Sequence, residues 1–251
     1  MIPQLSLMQL FQVGAHRGNS KSKLNPRLKP NVYGIENGLC LINLVETTQS
    51  IKQAASLMHH LGMKKKQILV VGTSKHLQEL TVSAAGKIVG SAPYVNSRWL
   101  GGSLTNWSTI KKTLKTLEKL ENIENNKEFF QKLSRNERLS IQRERTKISK
   151  FFNGLVNLKN NKPGALLVLD VANHSVPILE AQKMGIPVIA LTNTATKFLP
   201  EKLDTTIVTN IYSIKAVELI LDNLVESYNE GFQAGISQAI TEEKKELKTK
   251  N

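Results

Sequence analysis

Residues 164–194 read GALLVLDVANHSVPILEAQKMGIPVIALTNT, two apolar runs on either side of a stretch with helical spacing. Nothing else in the chain narrows the fold so far. The runs 165–170 and 187–192 are short and show no polar alternation, so each reads as a strand covered on both faces. Strands of that kind belong to parallel sheets, and a helix over 175–184 supplies the crossover that parallel neighbours need. Gly185 ends that helix and Pro187 opens the second strand.

The same pattern recurs nearer the amino terminus. In QILVVGTSKH, Ile68 to Val71 is a wholly apolar strand that stops at Gly72, with a helix expected from about Ser74. LCLINLV, from residue 39, reads as a further buried strand, followed by a helix over 47–61 that Thr47 or Thr48 would cap. SAPYV and TTIVTN are candidate strands, and an amphipathic helix is expected from about Ser213 to Asn229. The charged tail TEEKKELKTK reads as frayed helix or disorder. With 40% apolar but only 5% aromatic residues, the core must be built from Leu, Ile, Val and Ala.

Residues 105–158 have a different texture, rich in Lys, Glu, Arg, Leu and Ile. Ile110, Leu114 and Leu117 share one helix face, while Ile141, Ile148 and Leu155 recur at every seventh position. Two long helices result, joined through ENIENNKEF as an antiparallel hairpin projecting from the α/β body. The chain therefore divides into an arm over 1–35, an α/β domain over 36–104 and 159–232, the inserted hairpin over 105–158, and a flexible tail over 233–251.

The formal net charge is +14, and a protein so basic needs counter-charges on nucleic acid or on an anionic membrane. No apolar run approaches the roughly 20 residues of a bilayer span, and no basic segment has an aromatic lipid-facing stripe, which argues against a membrane role. The cations concentrate in two places. Residues 1–35 contain no acidic side chain, yet carry Arg17, Lys21, Lys23, Arg27 and Lys29, spaced by Asn, Ser, Gly and Pro as an extended track able to follow a phosphate chain. The hairpin carries Lys111, Lys112 and Lys115 on its first helix, where any one lysine alone would be read as part of a solvated face.

Reaction chemistry finds less support. Gly72 to Ser74 could bind a phosphorylated metabolite at a helix start, with Asp170 and His174 as acid or base, but the chain has neither G-x-G-x-x-G nor G-x-x-x-x-G-K-[ST]. His59, His60 and His76 lack partners at metal-ligand spacing, and Cys40, the single cysteine, reads as a buried small hydrophobe. The expectation is a non-enzymatic protein with no cofactor and no metal. The opening MIPQLSLMQLF has neither the basic start of a signal peptide nor the arginines of a transit peptide, so function where the chain is made is expected.

Both tryptophans fall in NSRWLGGSLTNW, between SAPYV and the hairpin. Gly101 and Gly102 allow a turn or a close approach there, while Trp99 and Trp107 can brace the hairpin's root and Asn106 stands at its start. Trp99 could instead stack on an unpaired base beside Arg98, which reads as the RNA-facing member of the group.

This junction also carries a family resemblance. VNSRWLGGSLTNWSTIKKTLKTLEKLE closely resembles the corresponding segment of the second small-subunit ribosomal protein, the S2 family of bacteria and organelles. LMQLFQVGAHRGNSKSKLNPRLKPNVYGIENGLCLINLVET, ILVVGTSKH and GIPVIALTNT resemble the family's arm and first strand, its glycine turn and a late strand. The resemblance implies a flavodoxin-like parallel sheet with a coiled-coil hairpin, bound to small-subunit ribosomal RNA and to neighbouring ribosomal proteins. It further implies recruitment of the large messenger-binding ribosomal protein, location on the ribosome of the cytoplasm or an organelle, and no self-association. Two departures stand out. GAHRGN replaces the family's G-x-H-F-G-H, with Arg17 and Asn19 at the altered positions, and NTATKFLP replaces an acidic D-T-N-x-D-P loop, adding Lys197. The rivals are the metabolite-binding enzyme and a relative that has left the ribosome as an adaptor.

Overall fold

The computed structural model describes residues 5–158, 162–199 and 203–249, with side chains omitted at 127 and from 240 onward. Helix α1 (Leu7–Gln12) opens on a capping box, in which Ser6 and Gln9 satisfy each other's backbone amides. Strand β1 (Arg17–Ser20), two short 3-10 segments, β2 (Val32–Glu36) and β3 (Leu39–Ile42) follow. They form a small antiparallel sheet in the order β1-β3-β2. Asn37 and Gly38, both with positive φ, make the tight turn between β2 and β3.

Two expectations are corrected here. The run from residue 39 is not a strand of the parallel sheet: its register pairs Ile35 with Cys40 and Glu36 with Leu39. Nor is the arm an extended track. Leu10 and Ala15 lie in the main core, and Leu28 packs with Ile42 and Val208. Residues 1–4 of the arm lie outside the described residues.

Helix α2 (Leu44–Met63) is capped by Asn43, whose side chain accepts the Val45 amide, rather than by Thr47 or Thr48. Those hydroxyls point back into the helix, and that of Thr47 also reaches Val208 O at 2.7 Å. Next come β4 (Ile68–Val71), α3 (Gln78–Lys87), which starts one turn later than expected, and the two-residue β5 (Tyr94–Val95). The hairpin is α4 (Trp107–Asn125), a short α5 (Lys127–Lys132) and α6 (Arg135–Phe152). The connection begins within ENIENNKEF, where Asn126 ends α4, and extends beyond it through α5 to Ser134, the cap of α6. The chain closes with β6 (Ala165–Val168), α7 (Ser175–Lys183), β7 (Val188–Thr192), β8 (Thr205–Val208) and α8 (Ile214–Thr249).

The five later strands form one parallel sheet in the order β5-β4-β6-β7-β8. Counted along the chain that order is 2-1-3-4-5, the flavodoxin-like arrangement. Alternate residues of each strand face opposite ways: Ile68, Val70, Leu167, Ile189 and Leu191 join α2, α3 and α8 in one cluster. Leu69, Val71, Leu166, Val168 and Ala190 join α7 and the hairpin in the other, with Ile110, Leu117, Phe152 and Leu155. The hairpin thus fills the place of the crossover helix between β5 and β6, and its root is part of the core. Farther out, no described residue from 121 to 147 is buried. Ile141, expected on the seam, is only partly covered.

The last helix passes its expected end near Asn229, since α8 continues to Thr249 and makes the stretch from 233 helical. Gly231 and Gly235 look like breakers but are contact points on α2. A Cβ at Gly231 would lie 2.1 Å from His59 O, and one at Gly235 2.4 Å from Met63 O. Side chains of the tail TEEKKELKTK lie outside the described residues.

Candidate nucleic-acid interface

The junction is built around a carboxylate. Glu180, on α7 and only 7% exposed, points into the NSRWLGGSLTNW loop. Its Oε1 accepts the Trp99 indole N–H at 3.0 Å and the Gly102 amide at 2.8 Å. Its Oε2 accepts the Leu104 and Thr105 amides at 3.0 and 3.3 Å, together with the Thr105 hydroxyl. Burial acts to raise the Glu180 pKa, but the Trp99 indole and the Gly102, Leu104 and Thr105 amides outweigh it and hold the carboxyl below its ordinary value. A loop with no regular hydrogen-bond ladder is thereby fixed by one ionised side chain.

Trp99 and Trp107 both pack, partly covered, against the core cluster beneath the hairpin. Gly102 has φ +88°, which explains that glycine. Gly101 is exposed, has no left-handed φ, and a Cβ there would meet nothing within 4 Å, so nothing in the folded chain explains it. Asn106 is exposed and caps α4 with no backbone bond, its Oδ1 accepting the Ser108 and Thr109 hydroxyls. Arg98 is exposed beside them.

The arm cations form a second group at the carboxyl end of the sheet. Arg17, Lys21, Lys23, Arg27 and Lys29 are exposed on a backbone pinned to the loop after β7. Asn25 donates its amide to Thr194 O at 2.9 Å and its Nδ2 to Thr196 O at 2.6 Å, while the Asn19 amide reaches Thr194 Oγ1 at 2.8 Å. A groove of about 690 Å³ runs between the two segments, with Lys23 and Lys197 among its lining residues. The two departures from the family pattern, at Asn19 and in the 193–199 loop, therefore meet in space; Pro200 lies outside the described residues. His16 stacks on Phe11 at 4.2 Å, and burial, together with Arg17, lowers its pKa.

Lys111, Lys112 and Lys115 form a third group, exposed on the outer side of α4 opposite Ile110 and Leu117. The arm's Leu10 and Ala15 join the core formed with α2 and α8, while the root of the hairpin joins the core on the other face of the sheet.

The carboxyl ends of β4 and β6, where this topology places ligands in enzymes, are closed by the chain's own polar groups. A Cβ at Gly72 would fall 2.2 Å from Thr81 Oγ1, so this glycine admits α3 rather than a phosphate. Asp170 accepts the Ser74 hydroxyl at 3.0 Å, Asn173 Nδ2 at 2.6 Å and the Ala172 amide at 3.0 Å. His174, fully buried, donates from Nδ1 to Asp170 O and accepts the Thr73 amide at Nε2 over 3.1 Å. Burial pushes its pKa down. Both ring nitrogens are thus engaged within the fold. Among the described residues no three His, Cys, Asp or Glu side chains gather as metal ligands, and no helix is long and apolar enough to cross a membrane.

A family model described as Ribosomal protein S2 matches residues 10–231. The chain belongs to the ribosomal protein S2 family. The Small ribosomal subunit protein uS2 of Parabacteroides distasonis is 34% identical over 235 residues, covering 94% of this chain and 82% of the relative. Its namesake from Porphyromonas gingivalis is 35% identical over 228 residues, covering 91% and 79%. That of Mesorhizobium japonicum is 33% identical over 230 residues, covering 92% and 86%. The S2-family match takes in the basic segments of the arm, the whole sheet and the hairpin. Glu180 is the residue of this S2-family junction that sequence reasoning missed. Its signal was the one acid on the short helix between two apolar strands.

Proposed function

We propose that the chain is a structural constituent of the small ribosomal subunit, binding ribosomal RNA through its arm, its hairpin and Arg98, and docking neighbouring ribosomal proteins. The observation that carries this reading is a positive surplus held on rigid supports and left without internal partners. Among the described residues, Lys21, Lys23, Lys29, Lys111, Lys112 and Lys115 have no carboxylate within ion-pair distance. Cations so placed are available for phosphates, and the resulting affinity depends steeply on salt. Membership of the S2 family supplies the setting.

On this reading the chain performs no chemistry, works on the ribosome of a cytoplasm or an organelle, and acts as a single copy. Recruitment of the large messenger-binding ribosomal protein belongs to the same proposal. The test replaces Lys21, Lys23, Arg27 and Lys29 with alanine and measures affinity for small-subunit ribosomal RNA across a salt series. The slope of log affinity against log salt should flatten by roughly 0.7–0.9 for each phosphate no longer neutralised. An unchanged slope removes the arm from the interface.

A further inference from the structure

A basic feature that none of these surfaces includes lies at the opposite, amino-terminal end of the parallel sheet. Lys64, Lys65 and Lys66 follow the last turn of α2 and are all exposed, and Lys162 joins them from the segment before β6. Near them is a cavity of about 520 Å³ at the amino ends of β4, β6 and β7, lined by His60, Leu61, Lys64, Lys66 and Lys162 over a floor of glycine and proline. None of its lining residues is acidic. Asp204, which approaches this end, commits one oxygen to the Val188 amide at 2.8 Å.

The lysines are carried on a fixed backbone. The Lys64, Lys65 and Lys66 amides donate to His60 O, Gly62 O and Leu61 O at 3.2, 2.8 and 3.0 Å, and Lys66 O accepts the Tyr228 hydroxyl at 2.9 Å. Gly164 closes against this stretch, its amide 2.6 Å from Gln67 O. Lys65 itself has φ +52°, the left-handed position just past a helix where glycine is favoured. A lysine there is conformationally disfavoured relative to glycine. Among the described residues none of the four lysines has an ion-pair partner.

We propose that Lys64, Lys65, Lys66 and Lys162 form a second phosphate-backbone contact, which takes a length of RNA separate from the one met by the arm. The proposal rests on the reading of the chain as an RNA-binding ribosomal component. RNA fits better than an acidic protein segment because cations ring the cavity, while its apolar lining is limited to Leu61 and two prolines beside glycine backbone. This site lies at the amino ends of the strands and the arm at their carboxyl ends, so the two are separated by the length of the strands, which rise about 3.3 Å per residue.

The test uses the full chain carrying Lys64→Gln, Lys65→Gln, Lys66→Gln and Lys162→Gln, titrated with purified small-subunit ribosomal RNA over a salt series. These side chains are exposed, so the melting temperature should stay at that of the parent. The salt slope should flatten by about 3 units, on the basis of roughly 0.7–0.9 per neutralised phosphate. Lys65→Gly offers an independent check, since it should raise the melting temperature and still flatten the slope by the amount due to a single phosphate. An unchanged slope in the quadruple variant, with a flattened slope in the arm variant, overturns this site and leaves the proposed function standing. If the parent chain itself does not bind, the proposed function fails. If the quadruple variant binds naked RNA normally but joins partly assembled subunits poorly, the partner is a protein and the RNA assignment is wrong.

Discussion

Glu180 shows how much one side chain can carry in a loop without regular structure. In Glu180→Gln an NH2 group would face donors already aimed at the site, leaving at least one amide unmet. Unfolding in urea should show a loss on the order of 2–4 kcal/mol. A variant as stable as the parent would mean that the loop holds its shape without this anchor. The pH dependence has a definite sign. The folded carboxyl titrates below its ordinary value of 4.5, so its contribution is fully present above that pH and fades as pH falls through the depressed folded value. Stability measured down through that range should fall more steeply in the parent than in Glu180→Gln. The adjacent glycines separate shape from contact. Gly102→Ala must force an alanine to φ +88° and should cost about 1–2 kcal/mol, whereas Gly101→Ala should fold within about 0.5 kcal/mol of the parent. A weaker grip on ribosomal RNA in Gly101→Ala would explain a glycine that the fold does not use. The two tryptophans were readable as a brace from their position, but the buried acid that Trp99 donates to was not, because its donors are mostly backbone amides, and these have no letter in the sequence.

At the level of elements, the hairpin is two things joined end to end. Its inner half covers one face of the sheet through Ile110, Leu117, Leu120 and Phe152, while its outer half buries nothing among the described residues. Excising residues 121–147 and linking the ends with a short Gly-Ser turn should leave the melting temperature nearly unchanged. Cutting back to 112–150 should lower it markedly, because Leu117 and Leu120 then leave the core. Equal melting of the two truncations would make the whole hairpin an appendage. Heptad spacing made the helices legible, yet spacing cannot say which turns have a partner. The arm was misread for a related reason: prolines and cations masked Leu10, Ala15 and Leu28, and LCLI reads the same in an antiparallel strand as in a parallel one. The Asn37-Gly38 pair was the available signal, since that dipeptide favours a two-residue hairpin turn.

On the scale of the whole molecule, the parallel sheet was the most legible part. Apolar runs bounded by glycine and proline leave few other solutions, and four of its five strands match expectation to within two residues. What could not be read is which surface lies where, and so the separation of the arm cations, held on the loop after β7, from the hairpin lysines on the outer side of α4. That arrangement predicts that arm and hairpin charge deletions act independently on RNA affinity, their free-energy effects adding to within about 0.5 kcal/mol. Strong coupling would place both on one stretch of RNA. The position of the hairpin also bears on how the chain reaches its native state. Ile68 pairs with Ala165 across the whole inserted segment, a long closure for β4 and β6 to make unaided. Helices that form early and zip together locally bring Trp107 and Phe152 near each other, which shortens the effective distance the closing chain must search. An element that covers a sheet in the finished protein thereby acts as a clamp during its assembly, and refolding should slow when the outer half is weakened even though the final stability does not change.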